Sequence, residues 1–132
     1  MHENEISGIL LDAAIEVHKT LGGPGLLEDI YEEALAHELE LRGLSVRRQQ
    51  GFSVVYKERT LQKRLVLDLL VNDRVIVEVK ATTQDHSIFK AQCLTYLRVT
   101  DRRLGVVINF GSELIRDNFH RVVNHLIPAE EE

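Results

Sequence analysis

Tryptophan is absent from the 132 residues, cysteine occurs once and proline twice. The lone Cys93 excludes an internal disulfide, and with it a small disulfide-stapled scaffold. No apolar run approaches the length that spans a bilayer, so no membrane partner is expected. The segment Met1 to Gly8 is polar and lacks the basic start and apolar core of a secretory signal. Together these absences point to the cytoplasm. What is present is ordinary: 44% hydrophobic and 28% charged residues, as in a soluble globular protein. The length fits one domain, expected over residues 1–127, that buries a core without disulfides or a structural metal. Residues 128–132 form an acidic tail with nothing to bury, expected to be flexible.

The net charge of −5 argues against a nucleic-acid partner, which usually meets a basic surface. The distribution says more than the sum. Acidic residues crowd the first forty positions and the Glu130-Glu131-Glu132 end. Between them Arg42, Arg47, Arg48, Lys57, Arg59, Lys63 and Arg64 are interrupted only by Glu58. Such a strip can attract phosphate even on an acidic protein, although surface charge runs are usually only solvated surface.

Periodicity divides the chain. Ile6, Ile9, Leu10, Ala13, Ala14, Val17 and Leu21 have helical spacing. Gly22-Gly23-Pro24-Gly25 separates this helix from a second, expected over about Leu26 to Arg42 and stopped by Gly43. Strands are expected at Ser45 to Gln49, Phe52 to Tyr56, Leu65 to Val71 and Val75 to Lys80, with a turn at Lys57 to Thr60. A polar loop, Ala81 to Asp85, leads to a third helix near Ser87 to Val99. Leu104 to Phe110 is an apolar strand, buried on both faces, and a last irregular strand lies between Leu114 and Val123. The fold class is therefore α/β (α+β), a mixed sheet flanked by helices in the order α-α-β-β-β-α-β, with a final strand.

The chemistry concentrates between Asp68 and Lys80. Asp68 interrupts Leu65-Val66-Leu67-Asp68-Leu69-Leu70-Val71, and Glu78 and Lys80 end Val75-Ile76-Val77-Glu78-Val79-Lys80. Carboxylates are poor strand formers and are rarely buried without a partner or a metal. Glu78 and Lys80 share a strand face. If Asp68 lies across from Glu78, two acids and an amine converge at one end of a sheet, a ligand set that suits Mg²⁺ or Mn²⁺. The register sets a condition. A two-residue turn, Asn72-Asp73, would leave Glu78 facing away from Asp68. The site needs one residue more, Asn72-Asp73-Arg74 between paired Val71 and Val75, or a bulge near Asp68. The bland alternative makes Asp68 and Glu78 surface ion-pair partners of Lys63 or Arg74.

Further motifs extend the pattern. Gly25-Leu26-Leu27-Glu28-Asp29-Ile30-Tyr31 reads Gly-x-x-Glu-x-x-Tyr. With Glu16-Val17-His18, Tyr31-Glu32-Glu33-Ala34-Leu35, Glu78-Val79-Lys80, Gln92-x-x-x-Tyr96 and Leu104-Gly105 to Asn109-Phe110-Gly111, the chain resembles the GxxExxY proteins over roughly positions 5 to 125. That family is placed in the PD-(D/E)xK nuclease superfamily, with a restriction-endonuclease-like core. The resemblance implies that Asp68 and Glu78 ligate a metal, with the Val79 carbonyl as a third ligand and Glu28 at the edge of the site. It implies that Lys80 orients the attacking water, and that Gln92 and Tyr96 approach the site or the substrate. The family's loop after the second strand usually carries Gly, and Lys57-Glu58-Arg59-Thr60 departs from it.

The residues themselves support part of this. Gln92 and Tyr96 share a helical face, and Glu28 borders the stripe of Tyr31 and Leu35. Glu28 is equally readable as a first-turn acid favoured by the helix dipole. Tyr31 reads as core, His18 as structural and Cys93 as a small apolar core residue. The histidines do not form a ligand set.

The first functional reading is a Mg²⁺- or Mn²⁺-dependent nuclease, DNA being the more expected substrate than RNA, with Arg47, Arg48, Lys57, Lys63 and Arg64 touching the nucleic-acid backbone. The second is a catalytically silent module that keeps the fold and binds nucleic acid or a protein. A third makes the chain one subunit of a homodimer whose paired sheet edge completes a groove.

Overall fold

A computed structural model describes residues 1–83 and 87–131. Helix α1 (Glu3–Thr20) begins before its apolar stripe because His2 caps it. The His2 Nδ1 accepts the Asn4 N–H at 2.9 Å and Glu5 reaches back to the His2 N–H, a reciprocal cap that satisfies helix-end donors. Helix α2 (Glu28–Leu41) follows the glycine-rich turn, and α3 spans Ser87–Thr100.

The strands are β1 (Val46–Phe52), β2 (Val55–Tyr56), β3 (Arg59–Thr60), β4 (Leu65–Val71), β5 (Val75–Lys80), β6 (Leu104–Asn109) and β7 (Phe119–Val123). Five form one sheet in the order β1-β4-β5-β6-β7, with β5 and β6 parallel and the other pairs antiparallel. The mixed sheet flanked by helices agrees with the expected α/β class.

Among the strands, two segments differ from expectation. The strands expected at Ser45 to Gln49 and Phe52 to Tyr56 are one long β1 and a separate two-strand hairpin, β2–β3. Its turn residues, Lys57 and Glu58, both have positive φ (47° and 69°). A tight hairpin turn demands this and glycine usually supplies it, so the missing glycine leaves the turn shape intact. The segment from Leu114 begins as a 3₁₀ turn at Arg116–Asn118, and only Phe119–Val123 pairs with β6. Of the polar loop Ala81 to Asp85, residues 84 and 85 lie outside the described residues, as does Glu132 of the acidic tail.

Two apolar layers hold the sheet. On one face α1 and α2 pack Ile6, Leu10, Val17, Tyr31, Leu35 and Leu39 against Leu69, Val71, Val77, Val79, Val106 and Ile108. On the other, Leu97 of α3 packs with Leu67, Leu70 and Ile76. Each fully buried aliphatic side chain contributes about 1.5–3 kcal/mol of transfer free energy, which makes these layers the dominant stabilising term. Gly105 of β6 lets α3 approach, since a Cβ there would stand 2.4 Å from the Cys93 Sγ.

Candidate active site

The β4–β5 connection has the extra residue the site requires. Val71 pairs with Val75, Leu70 with Ile76 and Leu69 with Val77. Asn72 and Asp73 take left-handed φ values of 51° and 57° to close it, which Asn and Asp tolerate better than most residues. Pairing ends at Leu69 and Val77, and beyond that point β4 and β5 part. The opening between them is where the site lies.

Asp68 stands at the fork. Its Oδ2 accepts the Val79 N–H at 2.8 Å, filling the place a paired strand would have taken. The N–H and C=O of one strand residue point to the same edge, so the Val79 carbonyl faces this opening too. Across β1 the ladder is also broken. Arg48 pairs with Leu69 and Gln50 with Leu67, while Gln49, facing Asp68, is unpaired in the ladder and has φ of 50°. Opposite this left-handed residue the side-chain alternation of β4 also shifts. Leu67 and Leu70 both lie in the α3-side layer, although they are three positions apart and strict alternation would put them on opposite faces.

Glu78 projects from β5 toward α3 and is 4% exposed. Its Oε1 is buried without a hydrogen-bond partner among the described residues. Burial, and then the charge of Asp68, push its pKa up to about 9, against a smaller downward pull from Lys80. Burying an unpaired carboxylate costs several kcal/mol, whereas an exposed ion pair contributes about 0–1 kcal/mol. The surface ion-pair reading therefore fails for Glu78. Arg74 reaches Glu3 instead, Nη1 to Oε1 at 3.5 Å.

Lys80, at the end of β5, places its Nζ 4.8 Å from the Phe89 ring centroid. Its charge acts on Glu28, the first residue of α2, from the opposite layer. Burial chiefly raises the Glu28 pKa, Lys80 lowers it, Asp68 raises it, and the Ala81 N–H draws it down. Glu28 is thus within electrostatic reach of both Asp68 and Lys80. On α3, burial and the charges of Glu78 and Asp68 raise the Tyr96 pKa, and a hydrogen bond with Gln92 draws it partly back. Glu28, Asp68, Glu78, Lys80, Gln92 and Tyr96 are drawn to one end of the sheet from α2, β4, β5 and α3.

The linked motifs have structural reasons. The Tyr31 ring stacks on Phe110 at 4.7 Å, and its hydroxyl donates to the Gly23 carbonyl at 2.8 Å and accepts the Leu26 N–H at 3.1 Å. This ties the glycine-rich turn, and so the start of α2 that carries Glu28, to the end of β6. Asn109 accepts the Thr82 and Gly111 N–H groups at 3.1 and 2.9 Å and donates to the Thr82 carbonyl at 2.8 Å, clamping the chain after Lys80. A Cβ on Gly111 would meet the Thr82 backbone at 2.6 Å. Tyr31 is core and Cys93 is fully buried, as expected. His18 is buried, but its Nε2 has no partner among the described residues.

Glu32 escaped the sequence reading. It is 5% exposed, its carboxylate accepts from Gln49 Nε2 at 2.9 Å and Arg48 Nη2 at 3.1 Å, and it feels the charge of Asp68. Its place four residues after Glu28, on one helical face, is the signal that could have found it. The basic residues separate. Arg48 pairs with Glu32 and Glu33. Arg47 lines a cavity with Asn72 and Asp73 at the turn end of the sheet, away from Lys80. Lys57 lies over Tyr56 in the hairpin. Lys63 and Arg64 line a groove that Tyr96 also lines.

No group of three or more His, Cys, Asp or Glu side chains is poised around one point among the described residues. Mg²⁺ does not require one, since it is usually held by one or two carboxylates with water and substrate oxygens. The orphaned Glu78 Oε1 beside Asp68 fits such an ion. No described helix is long and apolar enough to cross a membrane. No curated protein and no solved structure matches the chain. A family model described as the PD-(D/E)XK nuclease superfamily matches residues 4–122. Nearly the whole chain is covered by that match, and the chain belongs to the PD-(D/E)XK nuclease superfamily.

Proposed function

We propose that the chain is a Mg²⁺- or Mn²⁺-dependent nuclease that hydrolyses phosphodiester bonds, with DNA preferred to RNA, and that it belongs to the GxxExxY branch. The observation that carries this reading is Glu78: a buried carboxylate with an unpartnered oxygen, beside a second carboxylate and a lysine, in the gap between parting strands. Asp68, Glu78 and the Val79 carbonyl would hold the ion, with Glu28 at its edge. A bound ion polarises the scissile phosphate and acidifies water.

The chain's own residues do the rest. Lys80 directs its ammonium to the attacking water and to the charge that grows on the phosphoryl oxygens. The Phe89 ring under its Nζ limits where that ammonium can go. Asp68 is aimed by the Val79 N–H. Gln92 hydrogen-bonds with Tyr96, which lies within electrostatic reach of the two acids. Buried Cys93, the only cysteine, fits a reducing cytoplasmic setting.

The test is cleavage of linear, nicked and single-stranded DNA and of RNA with Mg²⁺, Mn²⁺ or EDTA. Metal-dependent cutting is expected, falling at least about 100-fold in Asp68→Ala and in Lys80→Ala. Cutting that both variants retain would belong to a contaminant. The acidic net charge favours the second reading, a silent binding module. Binding without cutting, in wild type and variants alike, would establish it.

A further inference from the structure

The parting of β4 and β5 leaves more than a metal-sized gap. Residues Leu65 to Leu67 of β4 pair with β1 on one side, through Phe52, Gly51 and Gln50. On the other side the β4–β5 ladder has already ended at Leu69, so this edge has no strand partner among the described residues. A groove of about 440 Å³ runs there, within the range of sites that hold a small organic group. Val54 and Leu61, which flank the β2–β3 hairpin, line it, and the Leu61 N–H donates to the Val54 carbonyl at 2.8 Å to close the hairpin's base.

The walls are apolar and partly open. Val54, Leu61 and Val66 line the groove, and Leu61 and Val66 are 38% and 46% exposed. Tyr96 also lines it and is the same residue whose phenol feels Glu78 and Asp68. Lys63 and Arg64 supply two cations. The Arg64 guanidinium lies across Gly51, where a Cβ would stand 3.0 Å from its Cζ. The groove thus adjoins the segment that carries Asp68, since its Leu65 and Val66 precede Asp68 by three and two positions on β4, and it combines apolar walls, an aromatic ring and positive charge. An apolar peptide would find no use for the cations. An inorganic anion would find no use for the slot.

We propose that this groove takes one unpaired nucleobase next to the scissile phosphate, so that the substrate is engaged as a single strand. The proposal rests on the nuclease reading and narrows its substrate class. A base within a duplex has both faces stacked and its edge paired, and cannot enter such a slot without being extruded. A single strand offers its bases to apolar and aromatic surfaces without sequence preference. Its phosphates fall to Lys63 and Arg64 on one side and to the acid pair, with its ion, on the other.

The experiment uses the full chain carrying Asp68→Ala, with fluorescence anisotropy of a labelled short DNA single strand and of the blunt duplex of the same sequence. The single strand is expected to bind at least about 10-fold tighter. Adding Leu61→Ser or Val66→Ser should weaken single-strand binding by about 10-fold and leave duplex binding unchanged. An abasic strand should lose the same factor and show no further loss with those variants. Both positions are exposed, and an unchanged circular dichroism spectrum confirms that each variant folds. Equal or tighter duplex binding, or an equal loss for both DNA forms, would overturn the proposal. Cleavage by the wild-type chain is read separately. Single-strand preference without any cutting sinks the nuclease and keeps the groove, whereas cutting of duplex without preference keeps the nuclease and sinks the groove.

Discussion

Glu78 sits where its charge is least welcome, and that has a pH signature. Its folded-state pKa is raised from 4.5 to about 9 by burial and by Asp68. Between those values the folded chain keeps a proton that the unfolded chain has shed, so the stability of the metal-free protein falls as pH rises through that window. Glu28 and Glu32, also raised, act in the same direction. In EDTA the Tm is expected to drop between about pH 5 and pH 9, and Glu78→Gln should flatten the drop. A slope unchanged in Glu78→Gln would place the cause elsewhere. Gln49 offers a second test at this scale, because its left-handed φ of 50° is strained and its amide holds Glu32. Gln49→Ala loses the bond and keeps the strain, while Gln49→Gly loses the bond and relieves it. Urea denaturation should find the glycine variant about 1 kcal/mol the more stable. The reverse order would mean that the inversion is not strained.

Elements explain which parts of the fold were legible. The α1 and α2 stripes, the apolar β6 and the pair β4–β5 could be read because each buries a full face, and burial imposes periodicity. The extra residue in the β4–β5 connection was one of two solutions, with a bulge near Asp68, that the side-chain period allowed if Asp68 and Glu78 share a face, since a slip of one residue would turn Glu78 away. The start of α1 was not, because His2 is an unusual cap and carries no periodic signal. The division of β1 from the β2–β3 hairpin was not either. Residues 53 and 54 look as strand-like as their neighbours, and only tertiary pairing separates them. The hairpin turn carries its own test. Lys57 and Glu58 occupy left-handed φ values that cost non-glycine residues roughly 1–2 kcal/mol each. The double change Lys57→Asn with Glu58→Gly should raise unfolding free energy by about 1 kcal/mol. No gain would mean that the turn relaxes in solution.

At the scale of the whole molecule, the site is a consequence of topology rather than of any one motif. β5 is the hinge of the sheet, antiparallel to β4 and parallel to β6. Its β6 ladder runs to Lys80 while its β4 ladder stops at Val77, and the difference opens the gap. Asp68, Glu78 and Lys80 were visible in the sequence as charges inside apolar strands. Glu32 and Gln49 were not, because an acid on a helix and an amide in a strand look ordinary until the fold sets them against Asp68. The basic strip was legible as composition but not as a surface. The fold sends Arg47 to the far end, pairs Arg48 with acids, and leaves Lys63 and Arg64 by the groove.

All of this turns on whether Asp68 and Glu78 share a divalent cation. Isothermal titration of Mn²⁺ at neutral pH, in two buffers of different ionisation enthalpy, reads both the binding and the proton displaced. Burial and Asp68 push the Glu78 pKa up to about 9, so wild type should bind one ion and release about one proton, since ligating carboxylates must ionise. Asp68→Ala and Glu78→Gln should bind far more weakly. Absence of binding in wild type, or equal binding in Glu78→Gln, would contradict the assignment of the site.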